Sequence, residues 1–479
     1  MNEYEEFEET YSQEEIDLIS LGKSYYENEK YEDTIDIFLE LINLNPDNYE
    51  GWHYLGMSYA QIKEYEKAIG FLLKAIEYNP EEELDWCWLG YSYNENEQYQ
   101  EAINSLLKAV ELNPENDNNW YELGRSYEDN KQYKESIECL LKSVEINPNN
   151  EYNWYELGYS YNRNKQYKES IECLLKAVEL NPNDEDNWHW LAHSYFQNKQ
   201  YKEMEKALLK AVEIKPDYYD CWLGLILSYK KMEDFNNEIE TCKQLIKLNP
   251  DDDRVWEYLG QAYYDNKQYE EAIESFLKSA ELNPNDDINL NGLGKAYYRN
   301  KQYNKAIKSA LKAIELNPDN YDNWNLLGNS YCENKQYEKS MECLLKAIEL
   351  NPNSKYNWHS IGCAYYKIGE YNKAIESLLK SIKLKSDDYE VWYWLGNSYI
   401  GLKDYNKASE SYEKGIEINS TNCDMLNNYG MALANLNRIE EAKKYFEKAF
   451  EIDSNYQLAK DNIDSLNSFD IDSLRISEE

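Results

Sequence analysis

Apolar and polar positions along this chain follow one pattern that returns every 34 residues. With each repeat numbered 1 to 34 from Glu15, positions 4, 7, 8 and 11 form the first apolar stripe. Position 4 is Trp in ten of thirteen repeats, the exceptions being Leu18, Leu290 and Leu426. Position 7 is Leu in eleven, position 8 Gly in eleven and position 11 Tyr in twelve. That spacing marks one face of a helix. A second stripe runs through an aromatic residue at 17 (Tyr133, Tyr167, Phe235), a small residue often at 20, Leu or Phe often at 24 and a small residue usually at 27. It predicts a second amphipathic helix. A polar turn, Asn-Lys-Gln-Tyr in six repeats, separates the two. Asn-Pro then ends the second helix, because proline cannot continue a helix and disfavours helical geometry in the residue before it.

The prolines fix the register. All ten, from Pro46 to Pro352, are spaced 34 apart, and Ser386, Ser420 and Ser454 continue the series. Thirteen repeats result, 15–48, 49–82 and onward in steps of 34 to 423–456. They are flanked by an acidic head (1–14) expected to be disordered, a capping helix at 457–467 and a tail at 468–479. No remaining segment is long enough for a separate catalytic domain. Glycine inside a helix costs about 1 kcal/mol relative to alanine, so its return at position 8 implies a packing reason. The expectation is a close approach of position 8 to the small residue at 20, with Trp at 4 and Tyr at 11 filling the wider gaps. One hairpin cannot bury both its stripes and must stack on its neighbours. The fold class is therefore all-α, a solenoid of tandem hairpins. Repeats six and seven depart from the pattern, with Ala192 and Ile226 at position 8 and Met204 and Glu238 at position 20. Altered packing is expected over residues 185–252, with Glu238 displaced toward solvent.

The motif Trp-x-x-Leu-Gly-x-x-Tyr, followed by Ala, an apolar residue, Ala and Pro at these intervals, resembles the tetratricopeptide repeat family. The resemblance implies a right-handed superhelix whose concave groove is lined by the first helices, mainly at positions 2, 5, 9, 12 and 13. It also implies a protein–protein interaction scaffold or adaptor that is not an enzyme.

Repeats four and five, 117–150 and 151–184, differ at eight positions, and four of these (2, 9, 12 and 13) belong to that groove set; chance would put about one there. This pattern suits diversification of a ligand-facing surface. The groove candidates are Tyr121, Arg125, Tyr152, Tyr155, Tyr159, His189, His193 and Phe196 in repeats four to six, with Tyr264 and Tyr298 beyond them. Tyrosine supplies apolar area with a polar tip at little entropic cost, which suits recognition. Tyr155 and Tyr159, one turn apart, are expected to clamp an apolar side chain, and Arg125 to meet a partner's carboxylate or carbonyl.

A formal charge of −41 argues against nucleic acid and anionic membranes, which need a basic footprint. Protein or peptide partners with basic or aromatic segments fit better. The clamp that grips chaperone tails starts with Lys at position 5; no repeat has Lys or Arg there, so that clamp is absent in its usual form. His189 and His193 have metal-ligand spacing, but zinc needs three or four ligands and the sequence indicates no third. No cofactor, metal or catalytic residue is expected. Nine scattered cysteines without a CxxC pair fit a reduced, cytoplasmic setting. The alternative function is a sensor or regulator that binds a small molecule or glycan through the aromatic groove.

Overall fold

A computed structural model describes residues 11–385, 387–468 and 473–477. Among the described residues there are 27 helices and no strands. They come in pairs: repeat five is Glu151–Arg163 and Tyr167–Leu180, and a last helix, Gln457–Asn467, follows the thirteenth pair. The expected disorder of the head falls mainly on residues 1–10, which lie outside the described residues. Ser12, by contrast, caps a helix that begins at Gln13: its Oγ accepts from the Glu15 N–H, and Glu15 Oε2 accepts from the Ser12 N–H at 2.7 Å. The helical part thus starts two residues before the first repeat.

The chain divides into two compact units, residues 1–234 and 235–479. Within each, helices are packed on their sequence neighbours, so the core is a row of small clusters rather than one centre.

The glycine at position 8 has an identifiable partner. A Cβ placed on Gly158 would lie 2.6 Å from Leu174 Cγ, and the same holds for Gly124 with Leu140 and Gly328 with Leu344. The residue at 24 therefore occupies the volume the missing side chain leaves. Where 24 is larger, as in Phe276, Tyr412 and Phe446, it still meets the glycine of its own repeat. The approach of 8 to 20 is present too: Ser170 Oγ donates to the Gly158 carbonyl at 2.6 Å. Position 20 thus brings the helices together and position 24 fills the notch.

The invariant spacing of Trp and Pro also has a cause. The indole N–H of Trp154 donates to the carbonyl of Pro148 at 2.9 Å, and eight further repeats make the same bond, from Trp52 to Pro46 through Trp358 to Pro352. Position 4 of these nine repeats is thereby tied to position 32 of the one before. A second tie uses polar side chains. Asp117 Oδ2 accepts from Asn147 and from Asn153 of the next repeat, each at 3.0 Å. The polar turn ends each first helix with a residue of positive φ at position 15, for example Lys131 and Lys165 at 62° and 63°, while Gly369 supplies the one glycine. The N–H of Gln166 then closes back on the Tyr161 carbonyl at 2.9 Å, the bond pattern of a Schellman cap.

Glu238 is not displaced to solvent: only 1% of its surface is exposed. The expectation treated position 20 as too costly for a carboxylate; in the structure that position stays buried whatever residue holds it.

Two glycine substitutions separate packing from propensity. Gly158→Ala should destabilise by about 1–3 kcal/mol, the cost of overpacking a filled site. Gly70→Ala, where an added Cβ meets nothing within 4 Å, should stabilise by about 0.5–1 kcal/mol. Denaturant midpoints for the two variants moving in the same direction would contradict this packing account.

Candidate functional site

The core draws on positions such as 3, 4, 7, 8, 10, 11, 20, 24 and 27, which leaves the exposed face of each first helix free to vary. In the first unit this face carries most of the sequence-derived candidates. Tyr121 and Tyr152 come together around a small hollow of about 140 Å³ with Asn118, Asn150 and Asn153. Tyr152 is 57% exposed, the most accessible of the candidates. The rings of Tyr155 and Tyr159 lie parallel with centroids 6.5 Å apart. A group held between them needs two carbon–carbon contacts of about 3.5 Å or more, so the pair forms a joint wall rather than the expected clamp. Trp190 abuts Tyr159 edge-on at 4.6 Å. That tryptophan, one position after His189, went unnoticed in the sequence because position 6 lies outside the groove set.

Arg125 is already engaged. Its guanidinium lies 3.4 Å from Glu95, 3.6 Å from Glu122 and 3.9 Å from Glu156, with the Tyr121 ring 6.0 Å away. Three successive first helices each contribute one carboxylate, so the expected pairing with a partner's carboxylate is replaced by pairing within the chain. The glutamates at positions 6 and 13 went unread as ligands for Arg125, although the repeat spacing alone stacks them. One cation does not neutralise this cluster. Burial, with Arg125 opposing and Glu95 and Asp129 adding repulsion, raises the Glu122 carboxyl to about 7. Burial and the nearby Glu128, Glu122 and Asp129 do the same to Glu156. Glu128 is also raised, and is paired with Arg163 at 3.4 Å.

His189 stacks on Tyr218 at 5.3 Å and lies 3.4 Å from Cys221 Sγ. His193 packs against Trp190. Burial holds both imidazoles below the usual histidine range, hence neutral near pH 7. No group of three or more ligating side chains exists among the described residues. Phe196 turns toward Tyr201 of its own hairpin, at 6.2 Å, and packs on the core.

In the second unit, Tyr264 and Tyr298 share a hollow of about 150 Å³ with Lys295, Arg299 and Asn329, and Arg299 Nε donates to the Tyr264 hydroxyl at 3.3 Å. A larger one of about 550 Å³ adjoins it, lined mainly by residues at positions 2, 5, 6, 9, 12 and 13 of four successive repeats, among them Tyr298, Asn325, Glu333, His359, Lys367 and Trp394. Lys367 donates to Glu333 at 2.7 Å and Asn329 to Asn325 at 2.9 Å. Of these lining residues only Tyr298 was among the candidates: the comparison of repeats four and five directs attention to the first unit, whereas this hollow of about 550 Å³ lies in the second.

The second helices offer a rival surface. Leucines at position 25 are exposed, Leu107, Leu141, Leu175 and Leu209 in the first unit and Leu277, Leu311, Leu345 and Leu379 in the second. They sit beside exposed Lys–Glu pairs such as Lys176–Glu179.

The raised carboxyls fix a sign for pH dependence. An ordinary glutamate ionises near 4.3 in the unfolded chain. The folded cluster holds its protons up to about pH 7, so its contribution to stability is present at low pH and lost as pH rises through that range. Glu156→Gln should therefore raise the unfolding midpoint at pH 8, by up to about 3 kcal/mol, and change little at pH 4.5. An equal effect at both pH values in thermal unfolding would show that burial of these carboxylates is not what costs stability.

Comparison with known proteins agrees with the repeat architecture. Tetratricopeptide repeat models match residues 49–82, 221–252, 241–274, 260–301, 362–403, 389–422 and 424–456. The model of subunit 3 of the anaphase-promoting complex, cyclosome, matches 72–143, 142–211 and 299–381. A short match to the protein prenyltransferase alpha subunit repeat covers 31–60. No curated protein matches the chain. Among solved structures, the crystal structure of the APC/C hetero-tetramer Cut9-Hcn1 is similar at 16% identity and a TM-score of 0.47, covering 95% of this chain and 96% of that one. Yeast Tom70 is similar at 16% identity and a TM-score of 0.42, covering 88% and 96%. The 34-residue hairpin, its glycine notch and its Trp–Pro tie recur through the described residues, and tetratricopeptide repeat models match segments of both units: the chain belongs to the tetratricopeptide repeat family.

Proposed function

We propose that this chain is a protein-interaction scaffold that binds partner segments on the free faces of its first helices, and that it has no catalytic role. The observation that carries this reading is the division of labour within each repeat. Positions such as 3, 4, 7, 8, 10, 11, 20, 24 and 27 build the core, while positions 2, 5, 9, 12 and 13 hold side chains of varied chemistry that gather into hollows such as that of about 550 Å³ in the second unit. No helix among the described residues is long and apolar enough to cross a membrane. All nine cysteines are free, which supports a reduced, cytoplasmic setting.

The face of repeats four to six takes a basic segment that carries aromatic or apolar residues. Glu95, Glu122, Glu128, Asp129 and Glu156 outnumber Arg125 and Arg163 there, and burial, with repulsion among the carboxylates, keeps protons on two of the glutamates near neutrality. An incoming Lys or Arg supplies positive charge. Tyr152, Tyr155 and Tyr159 stand alongside as the apolar wall.

The test begins with a partner recovered from lysate and its affinity measured by calorimetry. Tyr155→Ala/Tyr159→Ala should weaken binding by about 2–4 kcal/mol, the range of strong interface anchors. Because Tyr155 packs on the core, its unfolding midpoint is measured beside the affinity. Glu172→Ala/Lys176→Ala, on an exposed part of a second helix, should leave binding unchanged. Affinity for the basic segment should strengthen from pH 6 to pH 8, as the cluster gives up its protons, and weaken with added salt. Loss of binding in the second-helix variant alone would move the site to the other face. Affinity indifferent to pH and salt would remove the basic segment from the proposal.

A further inference from the structure

The second unit already holds a peptide on its first-helix face: residues Leu474–Ser477 of its own tail. Asn462 grips Arg475 by the main chain, its Oδ1 accepting from the Arg475 N–H at 3.0 Å and its Nδ2 donating to the Arg475 carbonyl at 2.8 Å. Asn428 does the same to Ser477, accepting at 2.7 Å and donating at 2.9 Å. Asn427 adds a bond to the Arg475 carbonyl at 3.2 Å, and the Tyr393 hydroxyl one to the Ser477 carbonyl at 2.9 Å. The gripped residues are two apart, the period at which an extended strand presents N–H and C=O to the same side. The asparagines stand in for the neighbouring strand of a sheet.

The carboxamides also brace one another. Asn462 donates to Asn427 at 2.8 Å, Asn427 to Asn428 at 3.2 Å and Asn428 to Asn397 at 3.0 Å. All four are at most 1% exposed. The ladder ends with a spare donor, since Asn397 Nδ2 is buried without a hydrogen-bond partner among the described residues. A ladder of buried carboxamides is costly unless something meets it, and main-chain amide groups are what meet it here. Specificity comes from between the gripped residues: Leu474 and Ile476 pack against the cluster of Tyr393, Tyr429 and Met431. The Arg475 side chain is exposed and Ser477 is buried, so one position accepts any side chain and the other only a small one.

We propose that this asparagine ladder is a main-chain-reading site for an extended partner segment of pattern apolar–any–apolar–small, and that the chain's own Leu474–Ser477 competes for it as a tethered occupant. This deepens the scaffold reading with residues of repeats twelve and thirteen and the last helix, none of which the tests at repeats four to six touch. Failure here with success there would leave the scaffold standing without this site. Only four residues, 469–472, separate the two described segments, so the tethered occupant acts at an effective concentration on the order of millimolar. A partner must exceed that to bind.

The probe is a labelled peptide, Ser-Leu-Arg-Ile-Ser, titrated to about 1 mM and read by fluorescence anisotropy. In the full chain with Leu474→Asp/Ile476→Asp, which frees the ladder, it should bind at least about tenfold tighter than in the unaltered chain. Adding Asn428→Ala/Asn462→Ala should abolish that binding. Equal affinity with and without the tail substitutions, or binding that survives loss of the asparagines, would overturn the proposal. Amide exchange in the unaltered chain gives a reading that needs no variant: the Arg475 and Ser477 N–H groups should be protected, and exchange at the free-peptide rate would sink it.

Discussion

The side chain at position 24 rests in the notch left by the missing Cβ at position 8, and the rest of the repeat is arranged around that contact. It sets how near the two helices of a hairpin stand, near enough for Ser170 to donate to the Gly158 carbonyl. It also makes the hairpin tolerant: Leu, Phe or Tyr can occupy the notch, as Leu174, Phe276 and Tyr412 do, without changing the glycine opposite. Trp–Pro ties in nine repeats, joined in some by Asp–Asn ties, then hold hairpin to hairpin at the same 34-residue step. Such a chain is stabilised repeat by repeat, through nearest-neighbour contacts.

That economy explains where function can reside. A first helix such as Glu151–Arg163 buries Asn153, Leu157, Gly158, Ser160 and Asn162, packs Trp154 and Tyr161 on the core and leaves the others to chemistry. The same face holds an acidic cluster around Arg125, a polar hollow beside Lys367 and an asparagine ladder under the tail. These differ in charge and in what they recognise, yet they use equivalent positions on a shared backbone. Aromatics alone are a poor guide: Phe196, Tyr155 and Tyr159 spend much of their surface on their own neighbours, whereas Tyr152 stands clear.

The architecture was legible because each helix announces itself through residues three or four apart, and thirteen copies average out local exceptions. The reason for glycine was half legible: position 20 was expected as its partner, but periodicity does not show that 24 fills the notch. Side-chain pairing was least legible. Arg125 meets Glu95 and Glu156 about 30 residues away on either side, and a reading of one repeat at a time sees only Glu122. Glu238 breaks the pattern in sequence and still lies buried. The grip of Asn428 on Ser477 spans 49 residues and joins a repeat to a segment that has no repeat. The signal that could have pointed to it was the run of asparagines 397, 427, 428 and 462 on two successive first helices and the last helix.

The central claim is that partners engage the first helices and not the exposed leucines of the second. Hydroxyl-radical footprinting of the chain, free and saturated with a recovered partner, reads both faces at once. The account predicts that Tyr152 and other first-helix side chains at positions 2, 5, 9 and 12 become protected, while Leu107, Leu141 and Leu175 keep their reactivity. Protection confined to those leucines, with the first-helix tyrosines unchanged, would contradict it.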